Sequence, residues 1–173
     1  MGVVTGRGDG GKTSLFPKGM VAKDDLRIEL VGTLDELTSF LGVVRSLVPG
    51  RRTKAEVAAI QREIFWLSAE AVTPLSQLKK LKRRIAAEDV ARLEKALWAL
   101  EKRAGRGRQC FKTPGKDAVS ALFHVCRALC RRAERRLITL KKKNKAKNPA
   151  MFRYINRLSD LLFLMAQENR GRR

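Results

Sequence analysis

Apolar residues recur every three or four positions through most of the chain, the spacing that places them along one face of an α-helix. This pattern predicts five amphipathic helices joined by short links, an arrangement typical of an antiparallel bundle. We therefore predict an all-α fold, an antiparallel five-helix bundle with an extended glycine-rich N-terminal segment, in a single domain spanning residues 1–173. The predicted helices span 33–48, 53–73, 86–103, 116–140 and 150–169, all within a bundle of residues 33–169 that follows the segment 1–32 and precedes a basic tail, 170–173.

Capping motifs indicate where the first two helices begin. In TLDE (33–36) and TKAE (53–56) a threonine stands three positions before a glutamate, the pattern of a capping box, so Thr33 and Thr53 are the expected N-caps. Upstream, RIELV (27–31) alternates apolar and polar residues and predicts a short strand or an extended approach to the bundle.

The stretch GRGDGGKT, Gly6–Thr13, satisfies the pattern of a P-loop, in which a glycine-rich turn holds the phosphates of a nucleotide. A P-loop joins a buried strand to the N-terminus of a helix. Almost nothing precedes this stretch, and Pro17 and Gly19 would stop a helix directly after it. We therefore predict a phosphate-binding loop that is supported by some architecture other than the P-loop fold.

The charge balance adds a second signal. The chain has 38 Lys and Arg against 17 Asp and Glu, a formal net charge of +21. Such a surplus indicates polyanionic partners: nucleotide phosphates, nucleic acid or an acidic surface. A charge run is more often a solvated face than a specific site, so non-specific polyanion binding is the expectation for the runs as a group. These runs occupy 79–84, 102–108, 131–136, 141–147 and 170–173.

Cysteine and histidine content argues against a metal framework. Three cysteines and one histidine are too few for a zinc site of the usual spacing. Cys126 and Cys130, four apart on the predicted fourth helix, are interpreted as small core residues. No apolar run reaches the ~18 residues of a membrane-spanning helix, and acidic residues within the first thirty argue against a targeting peptide. A cytoplasmic protein without a membrane span is expected.

The candidate chemistry lies on the fourth and fifth helices. Arg127, Arg131, Glu134 and Arg135 share one helical face, and residues 156–160 place an amide, a guanidinium and a carboxylate on a face of the fifth helix. Packed side by side, the two faces would form one cleft. Arginine forks suit phosphate oxygens, and a single carboxylate among them could orient a cation or a ribose hydroxyl. A solvated ion-pair network would produce the same spacing, so the pattern alone leaves both interpretations open.

Longer motifs decide between them. The chain contains TGRGDGGKTSLF, VAKDDLRIELVGTLDELTSFLG, IQREIFWLSAE, HVCRALCRRAERR and YINRLSDLLFLMA. In this order and spacing the segments resemble the ATP:cob(I)alamin adenosyltransferases of the propanediol-utilisation type, over nearly the whole chain. The resemblance implies a five-helix bundle that assembles as a homotrimer and binds ATP between neighbouring subunits. It further implies ATP, Mg²⁺ and cobalamin as ligands, with a reductase as the source of Co(I).

Position by position, the resemblance also implies site residues. Asp35 and Arg127 match a pair that forms a salt bridge beside the corrin, and Phe111 matches an aromatic residue that closes the lower face of cobalt. The residues that match ATP-binding positions are Thr5, Gly6, Arg7, Gly8 and Thr13 in the N-terminal loop, Lys23 after it, Arg131, Arg132, Glu134 and Arg135 on the fourth helix, and Asn156 on the fifth.

Two stretches depart from the family pattern. The loop lysine of the family is Gly6 here, which removes one charge that would face phosphate. The family's F-x-L-P-G-G is FKTPGK (111–116) in this chain, so Thr113 replaces an apolar wall residue and Lys116 replaces a glycine.

Three functions are compatible with these observations. The leading prediction is an enzyme that transfers the 5′-deoxyadenosyl group of ATP to cob(I)alamin, giving adenosylcobalamin and triphosphate. The alternative is a family member that has lost catalysis and serves as an RNA-binding or ribonucleoprotein subunit, and a third is a nucleotide-sensing or cobalamin-carrying protein. The basic surplus and the altered 111–116 segment favour the RNA-binding alternative, whereas Asp35, Arg127, Asn156 and the CRRAERR motif favour the enzyme.

Overall fold

The computed structural model describes residues 6, 8–15, 19–104, 113–115 and 117–168. Its α-helices are α1 (Leu26–Leu47), α2 (Arg51–Val72), α3 (Ala87–Ala104), α4 (Ala118–Lys142) and α5 (Pro149–Glu168). A 3-10 helix, Leu75–Lys80, lies between α2 and α3, and two short strands, β1 (Lys12–Ser14) and β2 (Met20–Ala22), precede α1. The predicted five-helix bundle with an extended N-terminal segment is confirmed.

The helices pack in the spatial order α2, α1, α4, α5, α3, so α4 has a neighbour on each side. The stripes predicted from helical spacing face inward: Leu34, Leu37 and Leu41 of α1 and Leu137 and Leu140 of α4 are fully buried. Burial of such side chains stabilises the bundle by about 1.5–3 kcal/mol each relative to exposure. α4 is the helix on which the bundle is organised.

The start of α1 differs from the prediction. The helix begins at Leu26, with Asp25 as its N-cap, and the expected strand 27–31 is the first turn and a half of this helix. The Asp25 carboxylate accepts a hydrogen bond from the Arg27 N–H at 2.8 Å, a contact typical of N-caps. Thr33 lies inside the helix, where its hydroxyl donates to the Glu29 carbonyl at 2.9 Å. Leu30, fully buried four residues before Leu34, extends the apolar stripe into the segment that we predicted as extended.

The start of α2 was also predicted too late. The helix begins at Arg51 after Gly50, and no side chain caps it, so Thr53 stands in its first turn and is not the N-cap. The observed α3, α4 and α5 begin and end within two residues of the predicted bounds. α4 is capped by Asp117, which accepts from the Ser120 N–H at 2.9 Å.

A buried carboxylate connects three helices. Glu63 of α2 accepts bonds from Arg92 of α3 at 2.6 and 2.7 Å and from the Tyr154 hydroxyl of α5 at 2.7 Å. Arg92 also pairs with Glu56, which lies two helical turns before Glu63 on α2. Because α2 and α3 lie at opposite ends of the packing order, these bonds close the bundle where apolar contact is sparse.

Cys126 and Cys130 are confirmed as core residues. Both thiols are free and buried, and the Cys130 thiol donates to the Ile155 carbonyl at 3.3 Å. Burial raises the pKa of Cys126 to about 12 and that of Cys130 well above its usual value. Both cysteines therefore stay protonated, which removes the thiolate that redox chemistry or metal binding requires.

Among the helices of the described ranges, none is long and apolar enough to cross a membrane.

The Glu63 network leads to a stability prediction. Arg92→Ala leaves the Glu63 carboxylate, which is 6% exposed, with only the Tyr154 hydroxyl as partner among the described residues. Removing one partner of a buried ion pair costs about 3–5 kcal/mol, so the free energy of unfolding in urea should fall by at least about 3 kcal/mol. Arg62→Ala, at an exposed α2 position, is the control and should stay within ~0.5 kcal/mol of the parent. An Arg92→Ala protein as stable as this control would contradict the proposed role of the network.

Candidate functional site

The glycine-rich stretch forms a loop on a β-hairpin. β1 and β2 pair antiparallel, with Thr13 opposite Val21. Two successive turns precede β1: the Asp9 N–H donates to the Gly6 carbonyl at 3.2 Å, and the Gly11 N–H donates to the Gly8 carbonyl at 3.3 Å. The P-loop architecture is thus excluded as predicted, because a strand follows the loop where a P-loop requires a helix.

Positive φ angles explain glycine at two loop positions. Gly6 has φ +65° and Gly11 has φ +73°, in the left-handed region that disfavours other residues. The glycine at position 6, where the family has lysine, therefore occupies a backbone conformation that suits it.

Lys23 lies against this loop. Its backbone N–H donates to the Gly11 carbonyl at 2.9 Å, and its ammonium lies 3.4 Å from the point where a Cβ of Gly8 would stand. The ammonium therefore lies directly beside the Gly8 backbone. Gly8 and Lys23 lie together, Gly6 lies in the turn before Gly11, and Thr13 lies in the strand that follows. We call Gly6, residues 8–13 and Lys23 the cradle; its backbone groups and ammonium are of a chemistry that suits phosphate oxygens.

Asp25 attaches this cradle to the bundle. Its two carboxylate oxygens accept from the Arg27 guanidinium at 3.0 and 3.1 Å, and the Lys145 ammonium of the α4–α5 loop lies 3.6 Å away. The bonds from Arg27 lower the pKa of Asp25 to about 2, although burial acts in the opposite direction. Sequence reasoning missed Asp25, but its position two residues after Lys23 and directly before an apolar stripe was a usable capping signal.

The facing surfaces of α4 and α5 form the predicted cleft. The Asn156 side-chain amide donates to the Glu134 carboxylate at 3.1 Å, and the Arg157 guanidinium donates to the side-chain Oδ1 of Asn156 at 2.9 Å. Arg131 and Arg135 are exposed beside them. None of the hydrogen bonds or ion pairs in the described residues engages these two guanidiniums, so both can receive an anion.

Arg132 faces the other side of α4. It forms an ion pair with Glu36 of α1, just as Arg136 pairs with Glu29 of α1 at 3.6 Å. The Arg132 Nε is nevertheless buried without a hydrogen-bond partner among the described residues, so Arg132 retains a donor. The structure therefore places Arg132 away from Arg131, Glu134 and Arg135, as helical spacing indicates, although the family resemblance assigns all four to ATP binding.

Asp35 and Arg127 line two different cavities. Asp35 borders a cavity of about 240 Å³ between α1 and α2, which also contacts Phe65. Asp35 stays largely exposed there, yet the partial loss of solvent raises the pKa of its carboxyl. Arg127 borders a cavity of about 530 Å³ lined by α3, α4 and α5, where its guanidinium lies 5.3 Å from the centre of the Phe163 ring. Within one chain, the described residues contain no ion pair between Asp35 and Arg127.

Three predicted site residues, Thr5, Arg7 and Phe111, lie outside the described residues. Thr113, two residues after Phe111, is exposed.

The described residues fit Mg²⁺ that is carried by phosphate. They hold no group of three or more His, Cys, Asp or Glu side chains suited to a metal ion. Mg²⁺ is commonly held by one or two carboxylates together with substrate phosphates. Glu134 lies on the same face of α4 as Arg131 and Arg135. The bond from Asn156 occupies one oxygen of its carboxylate, and the other oxygen is left to contact a cation.

Comparison with known proteins identifies the family. A model of the cobalamin adenosyltransferase family matches residues 3–168. The chain belongs to the cobalamin adenosyltransferase family. A corrinoid adenosyltransferase of Citrobacter freundii is 41% identical over 165 residues, which cover 95% of this chain and 93% of that protein. The corrinoid adenosyltransferase PduO of Salmonella typhimurium is 36% identical over 167 residues, but these make up only 49% of that protein.

Solved adenosyltransferases share the fold. A variant PduO-type ATP:corrinoid adenosyltransferase from Lactobacillus reuteri, complexed with cobalamin and ATP, matches with a TM-score of 0.85 at 27% identity. The match covers 95% of this chain and 91% of that chain.

The Asp25 contact generates a prediction about stability and pH. Asp25→Ala removes the N-cap of α1 and should lower the free energy of unfolding by about 1–2 kcal/mol at pH 7. Because the pKa of Asp25 is about 2 in the folded protein and ~3.9 when unfolded, its stabilisation is complete above the unfolded value. It is lost as the pH falls toward 2. Wild type and variant should therefore converge between roughly pH 4 and 2.

The measurement is urea unfolding of both proteins across that range, with Asp24→Ala, the exposed neighbour, as the control. A difference that stays constant down to pH 2 would contradict the assignment.

Proposed function

We propose that this protein transfers the 5′-deoxyadenosyl group of ATP to a cob(I)alamin-type corrinoid and releases triphosphate. Membership of the cobalamin adenosyltransferase family supports this reaction, and the related C. freundii protein is named a corrinoid adenosyltransferase. The structural observation that carries the proposal is the α4–α5 cleft, where the Glu134–Asn156 bond lies beside the exposed guanidiniums of Arg131 and Arg135.

The reaction requires positioning and charge neutralisation. Co(I) attacks C5′ of ATP, a Co–C bond forms, and the C–O bond to triphosphate breaks as its electron pair leaves with the oxygen. No proton has to be removed from the carbon, so the protein needs no general base. It must hold the reactants in line and stabilise the negative charge that grows on the triphosphate. In the proposed site Arg131, Arg135 and Lys23 supply positive charge, and Mg²⁺ would accompany the phosphates near Glu134.

We propose that two subunits of a homotrimer share each site. In one chain, no hydrogen bond or ion pair of the described residues joins the N-terminal loop to Arg131 or Arg135, although the loop and these arginines are each suited to bind phosphate. A neighbouring subunit would bring the loop of one chain to the cleft of the next. The same assembly would cover apolar side chains that one chain leaves exposed: Phe65 at 72% and Trp98 at 67%.

The corrin would then lie between the two cavities that border Asp35 and Arg127. We propose that these residues form their salt bridge across the subunit boundary, since they do not pair within one chain. Phe111 is proposed to form an apolar wall below cobalt, which would disfavour an axial ligand and so ease reduction to Co(I). A reductase that supplies Co(I) and a cytoplasmic location remain predictions from the sequence.

The comparisons give no support to the RNA-binding alternative, since the relatives described above are adenosyltransferases.

The proposal is tested with purified protein, ATP, Mg²⁺ and chemically reduced cobalamin. Wild type should consume the Co(I) absorption and form one triphosphate per adenosylcobalamin. Arg131→Ala should weaken calorimetric ATP binding by about 1.5–3 kcal/mol, the range for a hydrogen bond to a charged partner. Arg51→Ala, an exposed residue at the start of α2, is the matched control and should bind ATP as wild type does. If Co(I) persists, the proposed function is wrong, and if Arg131→Ala binds ATP normally, the cleft assignment is wrong.

A further inference from the structure

Two basic segments that are far apart in sequence meet at one end of the bundle. The first, 79–84, begins with the last two residues of the 3-10 helix, and the second, 141–147, begins with the last two residues of α4. The Asn148 amide connects them, because it donates to the Ile85 carbonyl at 2.8 Å and to the Glu70 carboxylate at 2.9 Å. Glu70, only 4% exposed, also accepts from the Ile85 N–H at 3.2 Å. This buried contact fixes the distance between the two segments.

The segments enclose a groove of about 640 Å³, which we call the connector groove. Four cations line it, and apolar side chains form part of its wall. The cations are Lys82, Arg83, Arg84 and Lys147, and the wall includes Leu78 and Leu81. None of the predicted ATP or corrin residues lines this groove, although Lys145 of the second segment contacts Asp25, two residues after Lys23.

Of the four cations only Arg83 forms an ion pair within the described residues, although Arg84 is also attracted by the buried Glu70 carboxylate. Arg83 pairs with Asp89 at 2.7 Å, and its guanidinium lies 4.8 Å from the centre of the Trp66 ring. No ion pair among the described residues includes Lys82, Arg84 or Lys147. The nearby carboxylates are already satisfied: Asp89 accepts from Arg83 and from the Ala86 N–H, and Glu70 accepts from Asn148 and Ile85. The groove therefore holds an excess of positive charge inside a concave surface.

We propose that the connector groove is a second anion site that binds an oligophosphate. Its volume lies in the range of small-ligand sites, about 300–1,000 Å³, and Lys and Arg provide charge-assisted donors to phosphate oxygens. A merely solvated run would lie on one segment and on a convex surface, whereas these cations come from two segments held by a buried bond. Free triphosphate and the triphosphate chain of a nucleotide share this chemistry.

Trp66 offers a local reporter. The chain has two tryptophans, so Trp98→Phe leaves Trp66, beneath Arg83, as the only one. Inorganic tripolyphosphate should change the Trp66 emission saturably at physiological ionic strength, and calorimetry should give a matching affinity. A parallel titration with ATP separates the two sources, since a preference for tripolyphosphate indicates the free anion and a preference for ATP indicates the nucleotide.

The decisive variant is Lys82→Glu with Lys147→Glu in the Trp98→Phe background. It should weaken the Trp66-detected binding at least about tenfold, because two charge-assisted contacts are lost. Lys54→Glu with Lys95→Glu changes the net charge equally at exposed positions of α2 and α3 and should leave the affinity within about twofold. Lys82→Gln with Lys147→Gln should weaken binding to an intermediate degree, and circular dichroism verifies that each variant is folded.

Two results would overturn the proposal: no saturable binding by fluorescence or calorimetry, or equal weakening in the groove and control variants. The adenosylation rate at saturating ATP should be the same in the groove variant and its Trp98→Phe parent. The connector-groove proposal can therefore be wrong while the proposed function is right, and the proposed function can be wrong while the connector-groove proposal is right.

Discussion

The packing of α4 on two sides is the constraint on which the rest of the structure depends. Its apolar stripe fills the space between α1 and α5. The polar side chains of α4 therefore lie at its two boundaries, one with α1 and one with α5. Arg132 and Arg136 form ion pairs with carboxylates of α1, while Glu134 accepts a hydrogen bond from Asn156 of α5. The guanidiniums of α4 thus fall into two groups. Arg132 and Arg136 pair with α1, and Arg131 and Arg135 stay exposed beside the α4–α5 cleft.

A second consequence concerns the N-terminal loop. The loop has no helix of its own to support it, and its attachment to the bundle runs through Asp25. That carboxylate caps α1 and contacts Lys145 from the α4–α5 loop, so the position of Lys23 depends on the same α1–α4 packing. The proposed phosphate-binding cradle and the exposed Arg131 and Arg135 both depend on the packing of α4, although they do not touch each other in the described part of one chain.

Sequence periodicity predicted the helices well because helical spacing is repeated over many residues, as in Leu34, Leu37 and Leu41. It failed at the start of α1, where one capping box at Thr33 outweighed an Asp25 cap whose signal is a single residue. The α4–α5 cleft was also predictable from spacing. Spacing also left Arg132 off that face, because neighbouring residues on a helix diverge by about 100°. Its pairing with Glu36 was not predictable, because only tertiary packing decides which carboxylate it meets. The proximity of 79–84 to 141–147 was likewise not predictable from the sequence, because it depends on the contact of Asn148 with Ile85 between distant segments.

The division of the site between two subunits is tested most directly by mixing two variants that each weaken ATP binding, assayed at an ATP concentration at which neither is active alone. Lys23→Ala damages only the loop and Arg131→Ala damages only the cleft, so a mixed oligomer would contain boundaries at which both halves are intact. Equal co-expression should restore about a quarter of wild-type adenosylation, because half of the loops and half of the clefts are intact and combine at random in a symmetric assembly. The Lys23→Ala, Arg131→Ala double variant expressed alone should remain inactive. Activity in the mixture no higher than that of the separate variants would mean that each site lies within one chain.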